Sequence, residues 1–165
     1  MTTTEDTPSD TSPPSGPIVF AYDGSELAKL AIEDAGRQLP AGRDALVLTV
    51  WQPFDVGFVT PVALRVDAAE IAEVREAAQQ TAAEGALLAE AAGFKARGLE
   101  AEVAPTWKGI VHVADEHDAS LIVLGSHGRT GLAGTLLGSV AEAVAAHSRR
   151  TVLIAHRGEQ PHRGE

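Results

Sequence analysis

Short runs of consecutive apolar residues alternate along the chain with longer stretches in which apolar residues recur every three or four positions. The runs predict five β-strands, at Ile18–Tyr22, Ala45–Val50, Leu99–Ala104, Ser120–Leu124 and Thr151–Ala155. In the fourth of them every position from Leu121 to Leu124 is apolar, which is typical of a strand covered on both faces, as in a parallel sheet.

Helical periodicity fills the intervals between these strands. The first helix follows Ser25, a suitable N-cap residue, and the others are predicted over about Asp67–Ala92, Ile110–His117 and Ser139–His147. The stretch from Trp51 to Val66, which contains two prolines, is predicted to be a long irregular connection. Strands that alternate with helices predict an α/β domain built on a doubly wound parallel sheet.

The two ends of the chain differ in composition from its middle. Residues 1–16 are rich in Thr, Ser, Pro and acidic residues, a composition that predicts a disordered tail. Residues 157–165 are predicted to form a flexible carboxyl-terminal tail. A single domain is therefore predicted at 17–156. The amino-terminal stretch has neither the basic nor the apolar segment of a secretory signal, and no apolar run approaches the ~18 residues of a membrane span. We therefore expect a cytoplasmic protein that does not enter a membrane.

The amino-acid composition limits the kinds of site and partner that the chain can have. The chain has no cysteine, which excludes disulfides, thiol catalysis and cysteine-based zinc sites. Its formal net charge of −10 argues against nucleic acid as a partner, because a field of that sign repels phosphate backbones. A local set of backbone amides can still bind one small anion.

The glycines indicate where such an anion would bind. Five of the 16 glycines fall between Gly125 and Gly138, directly after the fourth strand and directly before the fourth helix. In open α/β sheets, ligands bind beyond the carboxyl ends of the strands, where loops and helix amino termini converge. The loop is neither a Walker loop, since no Gly-Lys-Ser/Thr occurs, nor a dinucleotide fingerprint, since no Gly-x-Gly occurs.

The spacing of these glycines is Gly125-x2-Gly128-x9-Gly138-Ser139. Together with Asp23 after the first strand and Val50 at the end of the second, it resembles the ATP-binding branch of the universal stress protein family. The resemblance covers about residues 17–156. It implies a Rossmann-like sheet with strand order 3-2-1-4-5, similar to the adenine nucleotide alpha hydrolases, and a homodimer that pairs Thr151–Ala155 across its axis.

The resemblance also implies a nucleotide site for ATP, with Mg or Mn as a possible companion of the triphosphate. Carried over by position, its residues are Ala21 and Val50 at the adenine, Asp23 near the nucleoside, and Gly125, Gly128, Gly138, Ser139 and Val140 around the phosphates. Ala141 departs from the pattern, because the binding branch often has Ser or Thr at this position, and the missing hydroxyl implies weaker binding. Arg129 is a candidate phosphate contact by its charge alone, with a solvated arginine as the alternative.

No Ser-His-Asp order, carboxylate pair or metal-ligand cluster accompanies this loop. We therefore expect no catalytic residue and at most slow ATP hydrolysis, so that nucleotide occupancy regulates a stress response. Two alternatives stay open: a partner-binding dimer with a vestigial site, which Ala141 favours, and an adenylyl-transfer or ATP-cleaving enzyme. His127 is not expected to act as an acid or base, and His147 is expected to pack on the apolar face of the last helix.

Overall fold

The computed structural model describes residues 15–53, 67–128 and 137–157. Five strands lie in one parallel sheet of order β3-β2-β1-β4-β5, which confirms the predicted fold class and strand order. The strands are β1 Ile18–Ala21, β2 Asp44–Trp51, β3 Lys95–Glu102, β4 Leu121–Gly125 and β5 Thr151–Ala155. The helices are α1 Glu26–Gln38, α2 Ala68–Ala91, α3 Thr106–Glu116 and α4 Ser139–His147.

The sheet is covered on both faces, as the unbroken apolar strands predict. On one face α1 and α2 pack over Phe20, Val47 and Val123. On the other face α3 and α4 pack over Val19, Leu48 and Ile122. Since alternate residues of a strand point to opposite faces, each central strand contributes to two separate cores.

Two elements begin four residues earlier than the sequence predicts. β3 starts at Lys95, not at Leu99, because this edge strand exposes Lys95 and Arg97 and so lacks the apolar run of the central strands. α3 starts at Thr106, not at Ile110. The glycine in its first turn, Gly109, lets α3 approach β2 closely, because a Cβ there would lie 3.0 Å from both methyl groups of Val50.

A polar network joins the end of β2 to β3 and α2. The Trp51 side chain is 4% exposed, and its ring nitrogen donates to Glu100, which also accepts from Nε of Arg75 at 2.8 Å. Burial works to raise the pKa of Glu100, but the hydrogen bonds from Trp51 and Arg75 outweigh burial and leave that pKa below its usual value. This network fixes the sheet at the edge where β2 ends.

Tyr22 follows β1 and packs beneath α2. Its side chain is 2% exposed, and its ring Cδ1 lies 2.6 Å from the point that a Cβ on Gly85 would occupy, so the ring fills the space that this glycine leaves. Within the described residues the hydroxyl has no hydrogen-bond partner. Burial raises the pKa of Tyr22, and the negative charge of Glu84 adds to the effect.

Candidate functional site

The site is built where two neighbouring strands send the chain to opposite faces of the sheet. β1 and β4 pair in parallel, yet β1 leads into α1 on one face and β4 leads towards α4 on the other. A crevice forms beyond the carboxyl ends of such strands, since the connections leave it uncovered. The residues after Ala21 and after Gly125 therefore border the same crevice.

Asp23 and Gly128 meet across this crevice. The Asp23 Oδ1 accepts a hydrogen bond of 2.9 Å from the backbone N–H of Ser25, the residue that caps α1 as predicted. The other carboxylate oxygen lies 2.7 Å from the point that a Cβ on Gly128 would occupy. The glycine thus leaves room for the carboxylate over the start of the loop.

Gly125 has a different role. A Cβ on it would lie 2.9 Å from both the Cβ and the carbonyl carbon of Leu27, a residue in the first turn of α1. The first glycine of the motif therefore permits the close approach of α1 to the end of β4. It belongs to the packing that shapes the crevice.

Gly138 is the N-cap residue of α4, and it offers no side-chain hydrogen bond to the helix. The first bond inside the helix runs from the N–H of Glu142 to the carbonyl of Gly138. The N–H groups of Ser139 and Val140 thus have no acceptor within α4, and they point out of its amino-terminal end, where the helix dipole is positive. Ser139 is exposed and adds its hydroxyl at the same place.

The predicted adenine contacts lie on the same side of the sheet as α3 and α4. Ala21 and Val50 are half-buried and pack against the core beneath these helices, as does Val140, a predicted phosphate contact. The ends of β1 and β2 are held together by two bonds of 2.9 Å, from the Thr49 hydroxyl to the Tyr22 carbonyl and from the Tyr22 N–H to the Leu48 carbonyl. Ala21 is thus the last residue of β1 and Val50 the last but one of β2, in two neighbouring strands that these bonds hold in register.

Two residues singled out in the sequence, Ala141 and His147, do not line the site. Ala141 is 2% exposed in the core beneath α4, so a hydroxyl at this position would lie among apolar side chains, and its absence is a matter of packing. His147 does not lie on the apolar face of α4: it is exposed, and its ring stacks on Trp107 at 4.5 Å. Arg129 lies outside the described residues.

The sequence analysis missed the pair Ser126 and His127. The Ser126 Oγ lies 3.1 Å from the His127 Nδ1, and Ser126 is 4% exposed. The signal available in the sequence was their place between two motif glycines. Their contact with the start of α4 depends on the folded position of that helix.

The described residues contain no group of three His, Asp or Glu side chains that could hold a metal ion. Two open depressions lie at the opposite, amino-terminal edge of the sheet. One, of about 580 Å³, includes Pro17, Leu46 and Arg97, and the other includes Gly16 and Arg150. Neither touches the crevice. Among the described helices none is long and apolar enough to cross a membrane.

A doubly wound parallel sheet of this strand order defines a Rossmann-like α/β protein. The Universal stress protein family matches the chain over residues 15–156, and the chain belongs to this family. A universal stress protein of Mycobacterium tuberculosis is 30% identical over 154 residues, which are 87% of this chain and 46% of the relative. The chain thus spans about half the length of the curated relatives it matches first.

Solved structures share the fold. The protein MJ0577 of Methanocaldococcus jannaschii superposes with a TM-score of 0.72 at 25% identity, and the match covers 89% of this chain and 99% of that one. A universal stress protein in complex with cAMP superposes with a TM-score of 0.54 at 28% identity, with 86% and 97% covered. In this second structure the ligand of the relative is an adenine nucleotide.

Proposed function

We propose that the chain binds an adenine nucleotide, ATP foremost, in the crevice between β1 and β4, and that occupancy of this site regulates a stress response. The observation that carries the proposal is the amino-terminal end of α4, where the described residues provide no side-chain cap, at the end of a loop that begins with Gly128 beside Asp23. Backbone N–H groups and a positive helix dipole favour phosphate, while half-buried apolar residues at the ends of β1 and β2 suit a purine ring.

The support from relatives concerns the kind of ligand. A member of the family with 28% identity was solved with cAMP, which has the same base and one phosphate. ATP adds two phosphates, for which the chain offers the N–H groups of the first turn of α4 and the hydroxyl of Ser139. We propose slow hydrolysis or none, because the described residues around the crevice include no carboxylate pair, and the one hydroxyl that they place beside a base, that of Ser126 next to His127, is buried.

Titration calorimetry of nucleotide-stripped protein with ATP, ADP, AMP and adenosine tests this function. We expect saturable binding of ATP, with affinity falling as phosphates are removed, because each removed phosphate loses charge-assisted hydrogen bonds at α4. Absence of ATP binding at millimolar ligand would contradict the proposal. Steady release of AMP or pyrophosphate would instead support an adenylyl-transfer or ATP-cleaving enzyme.

We further propose that the chain forms a homodimer through β5, Thr151–Ala155. This strand is an edge of the sheet, and its three central residues, Val152 to Ile154, are only half-buried in the single chain. An apolar edge strand of this kind is a template for pairing with another chain, and a symmetric dimer covers it.

Light scattering during size-exclusion chromatography measures the assembly directly. We expect twice the chain mass of 17.1 kDa at micromolar concentration. Replacement of Leu153 by Lys is expected to shift the equilibrium towards monomer, and the matched change of the exposed Leu87 on α2 to Lys is expected to leave it unchanged. A wild-type protein that elutes as a monomer would contradict the proposal.

A further inference from the structure

His127 lies between β4 and Gly128, at the rim of the crevice, and its ring is held on two sides. Its Nδ1 lies 3.1 Å from the hydroxyl oxygen of Ser126. Its Cδ2 lies 3.5 Å from the point that a Cβ on Gly138 would occupy, so the opposite edge of the ring rests against the start of α4. Since Cδ2 is bonded to Nε2, the second ring nitrogen is one bond away from the atom that lies beside Gly138.

Ser126, which contacts this ring, is itself held in place by two backbone hydrogen bonds. Its backbone N–H donates to the carbonyl of Ala155 at 2.7 Å, and its own carbonyl accepts from the N–H of Gly138 at 2.7 Å. One residue thus joins the end of β5 to the N-cap residue of α4, and its side chain is buried. The position of the His127 ring therefore follows from the sheet and from the start of α4.

The hydroxyl of Ser126 suits both charge states of the imidazole. When the ring is neutral, the hydroxyl can donate to Nδ1, and the ring proton is then carried by Nε2. When the ring is protonated, Nδ1–H donates to the same hydroxyl oxygen, and Nε2 keeps its proton. In both states an N–H donor remains on Nε2, and protonation adds a positive charge without the loss of the Ser126 contact.

Building on the function proposed above, we propose that His127 is a phosphate-binding residue whose Nε2–H donates to the phosphate chain of the nucleotide. The phosphates lie at the start of α4 in that function, next to Nε2. Because hydrogen bonds from an ionised donor to phosphate are the stronger ones, the charge of the imidazole then sets how tightly the phosphates are held. Imidazole is the side chain that changes charge between about pH 5 and 8.

Other charged groups face this loop from the elements packed against it. The carboxylate of Asp23 lies over Gly128, Glu142 lies in the first turn of α4, and His156 directly follows β5. The phosphates of the nucleotide titrate as well. The test must therefore separate His127 from these groups by comparing variants at each pH.

The experiment measures ATP affinity by calorimetry at pH 8 and at about pH 5.5 for the wild type and for His127→Gln, whose amide is a donor near the place of Nε2 without a titratable charge. We expect similar affinities at the higher pH. On acidification we expect the wild type to gain about five- to tenfold more affinity than the variant, as a charged donor exceeds a neutral one. Titration of the ligand itself cancels in this ratio.

His156→Gln is the matched control, because it removes a neighbouring histidine, and it should keep the wild-type pH profile. Adenosine, which lacks phosphate, should bind wild type and His127→Gln alike at both pH values. Identical pH profiles for ATP in the wild type and His127→Gln, with ATP bound, would overturn the role of His127 and leave the nucleotide site standing. A wild type that binds no ATP at either pH would overturn both proposals.

Discussion

Replacement of Ser139 by Asp is expected to weaken ATP binding on the order of a hundredfold while leaving the fold as stable as before, since a like charge ~4 Å from phosphate costs up to about 4 kcal/mol at an effective dielectric near 20. Ser139 is the first residue of α4 and is exposed, so the new carboxylate meets no packed neighbour. It would occupy the space in which the proposed phosphates lie.

The same substitution should act on stability with the opposite sign. A carboxylate in the first turn of a helix interacts favourably with the helix dipole, and we expect the free energy of unfolding to stay unchanged or to rise by about 0.3–1 kcal/mol. Thermal unfolding of the nucleotide-free protein measures this effect, and calorimetry with ATP measures the other. A loss of binding without a loss of stability separates a site residue from a structural one.

Ser139→Asn is the matched control, because it has nearly the same shape as Asp and no charge. We expect it to bind ATP within a few-fold of the wild type. If Ser139→Asp and Ser139→Asn both bind ATP as tightly as the wild type, then phosphate does not lie at the start of α4, and the proposed site is wrong. If both variants lose binding equally, the serine hydroxyl, and not the helix end, is the main phosphate contact.

Replacement by alanine is expected to affect the stability of the protein differently at two glycines of the motif. Gly125→Ala should lower the free energy of unfolding by about 1–3 kcal/mol, since its methyl group would press on the backbone of Leu27, which α1 cannot easily move. Gly128→Ala should leave stability within about 0.5 kcal/mol, because among the described residues its methyl group would meet the end of the Asp23 side chain and no backbone.

For nucleotide binding we expect the larger effect from Gly128→Ala and the smaller one from Gly125→Ala. Gly128→Ala displaces the carboxylate that borders the nucleoside in the proposed complex, and we expect about a tenfold loss of ATP affinity, the equivalent of one or two hydrogen bonds. Each variant is the control for the other, since both add one methyl group within the same motif. Equal effects of the two changes on stability and on affinity would contradict the separation of roles.

The sequence was informative where a single local rule decides the structure. Unbroken apolar runs identified the central strands, and β5 and α4 begin and end at the predicted residues because an apolar run and a glycine-serine start mark them clearly. β3 was placed too late, since an edge strand needs only one covered face and can carry Lys95 and Arg97. α3 was placed too late because Gly109 weakens a helical pattern unless its packing against Val50 is known.

For the candidate site, spacing located the residues but not their roles. The intervals between Gly125, Gly128 and Gly138 can be counted directly in the sequence. The neighbours that these glycines accommodate come from three different parts of the chain, so only the folded structure shows them. The backbone bonds that hold Ser126 in place join it to Ala155 and to Gly138, which no local pattern states. Ala141 was taken for a lost ligand contact because helical phase alone did not reveal that it faces the core.

The chain contains a single tyrosine, and its burial makes it a natural optical indicator of unfolding. Because the folded chain raises the pKa of Tyr22 above the value of 10.0 typical of an unfolded chain, its contribution to stability is complete below that pH and is lost as the pH rises through the raised value. Phenolate absorbance in moderately alkaline solution therefore reports on molecules in which β1 and α2 have separated. The opening of this end of the sheet can thus be followed without an attached label.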